Sequence, residues 1–472
     1  MKNWHDVIKE IRKEIIMREK RTYIKNAYVI SMNDEKQVFE NGGVLIVDDK
    51  IKAVGKIDEK EIFPDTQIID AKGKIVMPGL INTHVHTSQQ LERGMGDDVD
   101  LLTWLTDRTF PYESSMTPED SYISTLLCLV EQIKSGVTTI AEPGGQFVPS
   151  MCKAVAQSGI RGILAKSSMD YGDNLPPIWR RSTQEELDVQ EQDLKDWNNT
   201  YDGRVKVWFG LRTLFNDSDK LVLGTKELAD KYNVGIHMHV AEAKAEVEYV
   251  KETKGVPTVT HLRNLGVLDK NLLAVHTVWL TDEEVDMFKE YDVKVSHNPA
   301  SAMRVLGFAK VPKMLKKGIC VSIGTDGASA NNRMTMIDEM YVTALIHKGW
   351  RLDPTVVKAE EIITMATTNG AKALLWEDEI GALKPGMKAD LIIINPDSAQ
   401  MLPLHDPIAN IVTAMHESNV ESVMCNGEWI MKNRVLVTLD EQAILEEAKI
   451  HAEAIRQRAG IVLPDRFPVI KC

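Results

Sequence analysis

His84 and His86 stand two residues apart at the end of an apolar run, IVMPGLINTHVH. On a strand, residues two apart point to the same face, so both imidazoles can reach one cation. Taken alone, such a pair reads equally well as two packed or solvated histidines. His239, His276 and Asp326 then close three other apolar runs, VGIHMHVAE, LLAVHTV and CVSIGTDG, and Glu142 closes GVTTIAE. Nitrogen and oxygen donors without a thiolate suit a catalytic site with one position left open, and zinc or ferrous iron is the matching ion. Such an ion lowers the pKa of a water to about 7 and makes a nucleophile at neutral pH. Glu242 follows His239 by three residues, at the rim, where a carboxyl can pass a proton; the competing reading is a solvated glutamate at a helix start. His237 shares the inward face with His239 and is read as an interior structural histidine, with a further ligand as the alternative.

These residues need a scaffold that brings many strand ends together. Between residues 80 and 380, eight apolar strand candidates alternate with amphipathic helical stretches such as DSYISTLLCLVEQIKSG and TDEEVDMFKEY. That alternation predicts an α/β fold, a (β/α)8 TIM-type barrel, with the site at the C-terminal ends of its strands. The open doubly wound sheet is disfavoured because no GxGxxG follows the first strand. Strand-and-turn texture occurs before the barrel and again after it, predicting a small β-sandwich domain formed from both chain ends. The expected division is an N-terminal helical extension at 1–20, β-sandwich at 21–78, barrel at 79–380, β-sandwich at 381–440 and a helical tail at 441–472. In the extension, Ile8, Ile11, Ile15 and Ile16 recur at helical spacing.

Composition narrows the function classes. The 472 residues carry a net charge of −13, which argues against a general nucleic-acid binder. No apolar run approaches the roughly 18 residues of a membrane span. The charged first twenty residues lack the apolar core of a secretory signal. The five cysteines are scattered without a CxxC pair, which predicts free thiols and a cytoplasmic setting. No GxxxxGK[ST] loop supports phosphoryl transfer.

The phrases PGLINTHVH (78–86), HVAE (239–242), SHNPAS (296–301) and GTDGASANN (324–332), with His276 and GALKPGMKADL, together resemble the amidohydrolase superfamily. The nearest branch in this resemblance is the metal-dependent deaminases and chlorohydrolases, which includes methylthioadenosine/S-adenosylhomocysteine deaminases and triazine hydrolases. The likeness spans nearly the whole chain. It implies one divalent metal, Zn2+ first and Fe2+ second, held by His84, His86, His239 and Asp326. It implies His276 as a hydrogen-bond partner of the attacking water and the tetrahedral centre. Glu242 would protonate the ring nitrogen, and Asp326 would take the water proton and return it to the leaving amine. The strand VKVWFGL ends without the Lys or Glu that would bridge a second metal in the binuclear relatives. The presence of Glu242 favours loss of an amine over loss of chloride.

For substrate, the same resemblance points to Trp104 as a stacking residue, with a core tryptophan as the alternative, to Glu113 as a ribose acceptor, with a surface glutamate as the alternative, and to His276 and His297 as contacts, the last with a packing role as alternative. Arg212, in FGLRTLF, stands where those deaminases have a histidine, and Ala302 stands where an asparagine is usual. An arginine offers a planar fork of donors to a carboxylate, a phosphate or a purine-like carbonyl edge. Lys166 and the Arg180–Arg181 pair are candidate rim cations, with solvated surface charge as the alternative. The leading expectation is a hydrolytic deaminase of an adenosine-type nucleoside. The alternatives are a triazine, guanine-like or pterin amino- or chlorohydrolase, and a noncatalytic scaffold, which would have lost ligands. The expected partners are a small-molecule substrate and further copies of the chain, with no nucleic acid and no membrane.

Overall fold

The computed structural model describes residues 19–172, 175–464, 466–468 and 470. The helix expected at 1–20 lies almost wholly outside the described residues.

The fold is mixed α/β. Strands from both chain ends pair into one nine-stranded sheet. Its seam is the antiparallel pair of Ile75–Pro78 with Leu391–Ile394, in register from Leu391↔Pro78 to Ile394↔Ile75. Both strands are continuous apolar runs because both faces are covered. Leu391 and Ile393 enter a core belonging to this sheet, with Ile24, Val44 and Val76. Ile392 and Ile394, on the opposite face, join the larger core of the α/β body. Each such buried side chain contributes about 1.5–3 kcal/mol.

The α/β body has two all-parallel sheets. One holds Leu80–Asn82, Val137–Gly145, Arg161–Lys166 and Val205–Val207. The other holds Phe209–Leu211, Ile236–Val240, Leu272–His276, Lys294–His297 and Val321–Ile323. Val205–Val207 and Phe209–Leu211 are one run broken at Trp208, whose N–H donates to Leu164 O at 3.0 Å, while Phe209 N–H turns to Gly235 O at 3.2 Å. At the other edges, Thr83 N–H donates to Ile323 O at 3.0 Å. Helices separate successive strands, among them Pro118–Lys134 and Asp282–Glu290, each opened by a reciprocal Thr–acid capping box. The helix Glu441–Ala459 packs back on Pro118–Lys134, with His451 Nδ1 2.6 Å from Asp120 Oδ1. No helix among the described residues is long and apolar enough to cross a membrane.

The first strand candidate, IVMPGLINTHVH, is two strands in two sheets. The chain passes from Ile75–Pro78 to Leu80–Asn82 through Gly79, where a Cβ would lie 2.2 Å from the Thr138 side chain. Only glycine allows that approach. Both histidines therefore lie beyond the strand end, in the segment that follows Asn82.

Away from those strand ends, Arg161 ties the two bodies together. Its Nε donates to Asp390 Oδ2 at 2.6 Å and its Nη2 to Asp390 Oδ1 at 3.1 Å and Asn426 Oδ1 at 2.7 Å. Arg161 and Asp390 are both buried. Removing one partner strands the other charge, which costs about 3–5 kcal/mol, whereas an apolar pair does not carry that penalty. Arg161→Leu is expected to lower the urea unfolding midpoint clearly, and Arg161→Leu with Asp390→Leu to recover part of the loss. An unchanged midpoint in the single variant would show that the pair does not hold the two bodies together.

Candidate active site

His239, His276 and Asp326 lie at or just past the C-terminal ends of their strands. His239 is the fourth residue of Ile236–Val240, and His276 closes Leu272–His276. Asp326 follows Val321–Ile323 by three residues, and Glu142 lies within Val137–Gly145. Ligand atoms of His84, His86 and His239 lie within 4.8 Å of one another, as do those of His84, His276 and Asp326. Asp326 Oδ1 is 3.5 Å from His84 Nε2 and 3.6 Å from His86 Nε2. The Nε2 atoms of His86 and His239 are 3.4 Å apart.

Hydrogen bonds behind the rings decide which nitrogen faces inward. His239 Nδ1 is 3.0 Å from Arg212 O, which can only accept, so Nδ1 carries the proton and Nε2 presents its lone pair. His84 Nδ1 pairs with His237 Nε2 at 3.0 Å, leaving His84 Nε2 buried without a hydrogen-bond partner. Burial pushes the pKa of His84 down to about 4 and those of His86, His237 and His239 well below the usual imidazole value. Burial alone would raise Asp326, but the contacts with His84, His276 and His86 around it hold it well below the ordinary carboxylate range. Neutral imidazoles, an ionised carboxylate and an orphaned inward nitrogen are the state a divalent cation requires of its ligands. His237 thus supports His84 from behind.

The loops carrying these groups are fixed from several sides. Ala241, His276 and Asp326 have φ values of 47°, 67° and 62°, in the left-handed region that non-glycine residues rarely occupy. Asp326 N–H donates to His84 O at 2.9 Å. Asn82 Oδ1 accepts from His84 N at 3.3 Å and Thr325 N at 3.1 Å, joining the two ligand loops. Glu246 accepts from Ala241 N at 3.3 Å and Glu242 N at 2.9 Å, fixing the turn that aims Glu242. Glu142 accepts from Thr87 Oγ1 at 2.6 Å and Gly144 N at 3.0 Å, and burial raises its pKa to about 7.

Glu242 Oε2 is 3.5 Å from His276 Nε2, and Asp326 Oδ2 is 3.8 Å from the same nitrogen. Asn298 Nδ2 donates to His276 Nδ1 at 3.2 Å, so Nε2 carries the proton that faces the two carboxyls. Burial raises the pKa of Glu242, against the pull of His276 and Arg212. All three groups border a cavity of about 370 Å³, together with Trp104, Arg212 and Tyr249.

Other expectations fare differently. His297 does not border this cavity. Its Nε2 meets His347 Nε2 at 3.1 Å, on the helix Met336–Arg351, so the geometry places it in packing rather than against substrate. Its neighbour Asn298 makes the inward contact, because adjacent residues on a strand alternate faces. Ser296, which bonds Thr83 at 2.8 Å, marks the inward face, and this period of two is the signal within SHNP. Glu113 is buried behind the cavity wall, accepting from Gln89 Nε2 at 3.0 Å. Lys166 is not a rim cation: it pairs with Glu186 at 2.6 Å, which Arg181 also meets at 3.2 Å. Arg180 Nε donates to Leu175 O at 3.2 Å and does not border the cavity.

Comparison with known proteins agrees with this architecture. The sequence profile of the amidohydrolase family matches residues 75–430. The chain is 37% identical to a 5'-deoxyadenosine deaminase of Methanobrevibacter smithii, covering 93% of this chain and 99% of that one. It is 38% identical to a 5-methylthioadenosine/S-adenosylhomocysteine deaminase of Thermoanaerobacter pseudethanolicus, covering 92% and 99%. A zinc-bound adenosine deaminase structure from Xanthomonas campestris superposes with a TM-score of 0.88 at 26% identity, covering 92% and 98%. The match to the profile and the near full-length relatives place this chain in the amidohydrolase family.

Proposed function

We propose that the protein removes ammonia by hydrolysis from an sp2 ring carbon of an adenosine-type nucleoside, at one zinc site in the mouth of a (β/α)8 barrel. The observation that carries this reading is the grouping of Glu242, His276 and Asp326 on one wall of the cavity, beside the converging imidazoles. The near full-length deaminase relatives support the same substrate class. His84, His86, His239 and Asp326 would hold the ion. When bound, it supplies Lewis acidity and acidifies water toward a pKa of about 7.

The protein groups divide the proton work. Asp326, ionised in its ring of imidazoles, accepts the proton of the attacking water and later returns it to the leaving amine. His276, held by Asn298 with its proton on Nε2, donates to the oxygen arriving at the ring carbon. Glu242 keeps its carboxyl proton further toward neutral pH because it is buried, and donates it to the ring nitrogen beside that carbon. Trp104 and Phe110 supply apolar surface for a flat ring.

Three measurements test this. Glu242→Gln should retain its metal and lose about 10²- to 10⁴-fold in kcat for ammonia release, the usual size of a general-acid contribution. Turnover within threefold of wild type would remove Glu242 from the role. The purified protein should hold about one zinc per chain, and His237→Ala should weaken zinc binding about 10- to 100-fold in competition with a chromophoric chelator. Unchanged affinity would mean that His237 does not orient His84.

A further inference from the structure

Three segments distant in sequence meet at the rim of the cavity. Trp104, Leu105 and Thr106 border it from the first, Val305 and Leu306 from the second, and Ala330 from the third, the loop that follows Asp326. The first two each contain a π-helical turn, Leu105–Thr109 and Ala302–Leu306, and no other such turn occurs among the described residues. Turns of this kind are rare and concentrate at functional sites.

Arg304 projects from the second segment onto the other two. Its Nη2 donates to Asp97 Oδ1 and to Gly96 O at 3.5 Å, and its Nη1 donates to Ala330 O and to Ser329 O at 3.4 Å. Asn332 adds a tie between the first and third segments, donating from Nδ2 to Asp97 Oδ1 at 3.0 Å and accepting from Gly94 N at 2.8 Å. Neither of those bonds reaches the second segment. An exposed ion pair contributes little by itself. Here the Arg304 and Asp97 side chains are only 28% and 33% exposed, and the same planar fork also holds three carbonyls, a set of directions that a single ammonium cannot copy.

What depends on this joint is Trp104. Its indole N–H is buried and makes no hydrogen bond, so packing alone locates the ring. The packing partner is Gly96, where a Cβ would lie 2.5 Å from Trp104 Nε1 and 2.7 Å from Ser329 O. The ring therefore follows the Gly96 backbone, and Gly96 and Asp97 are what Arg304 grips. Arg304 itself does not border the cavity.

We propose that Arg304 is a positioning residue for substrate binding: by joining residues 96–97, 302–306 and 329–330 it fixes Trp104 as a wall against a flat ring, without taking part in the proton transfers. Its kinetic consequence rests on the deaminase reading; the joint itself rests on geometry.

The test uses the zinc-loaded full chain with adenosine and 5'-deoxyadenosine, and follows ammonia release, zinc content and backbone hydrogen exchange. Arg304→Met should raise KM at least about tenfold, the scale of a charge-assisted hydrogen bond, while kcat stays within about threefold and zinc content is unchanged. Arg304→Lys should recover only part of the loss. Asp97→Ala should raise KM too, and adding it to Arg304→Met should cost less than the two single effects combined, because both act through one joint. Amides between Gly94 and Trp104 should exchange at least about tenfold faster in Arg304→Met, with those of Leu272–His276 unchanged. A fall in kcat at unchanged KM would move Arg304 into the chemistry and overturn the proposal. So would unchanged exchange between Gly94 and Trp104, or a rise spread equally over the parallel strands, which marks a general loss of stability. If the wild type releases no ammonia from either nucleoside, the deaminase reading fails, and the exchange comparison still decides whether Arg304 holds the rim.

Discussion

The site depends on keeping buried imidazoles neutral and aimed. His84, His86 and His239 are buried beside Asp326, and burial, helped by Arg212 and the neighbouring histidines, holds their protons off. The same burial makes direction a strict requirement, since a ring turned the wrong way would offer a proton where a lone pair is needed. Arg212 O settles the question for His239, and His237 supports His84. Outside these contacts lie the crossed loops, tied by Asn82 and by the bond from Asp326 to His84.

Strain and support occur together. Ala241, His276 and Asp326 are in the left-handed region, and the chain around each is held by hydrogen bonds to other strands or to Glu246. The rest of the fold supplies the rigidity that makes such backbone states affordable. Two parallel sheets deliver the loops, and the nine-stranded sheet, tied through Gly79 and the Arg161–Asp390 pair, braces the body to which they belong.

Much of this could be read from residues alone. Alternating apolar runs and amphipathic helices correctly indicated parallel strands with helices between them, because each run is buried on both faces. Residues expected as ligands come within reach of one another, His84 with His86 and His239, and His84 with His276 and Asp326, because strand ends converge there. What escaped was contact made by atoms that no residue type advertises. The carbonyl of Arg212 behind His239 is one case, and the amide of Asn82 bridging two loops is another. IVMPGLINTHVH was read as a single strand because the two halves have the same apolar texture. They separate at Gly79, packed against Thr138, where one half pairs with Leu391–Ile394 and the other with Val137–Gly145. Lys166 illustrates the opposite error, a cation at a strand end that turns out to be neutralised by Glu186 on the helix behind it.

The alternation at 296–298 has a wider consequence. Ser296 and Asn298 look inward and His297 looks out toward His347. A slip of this strand by a single residue would trade the amide for an imidazole in the heart of the enzyme. The chain would still possess each of its reactive groups, and the pocket would have the same size, but one more nitrogen would compete for the ion and His276 would lose the contact that sets its proton. Inventory and address are therefore separate specifications in this enzyme, and the second is written in the odd and even numbering of a four-residue strand and the residue that follows it.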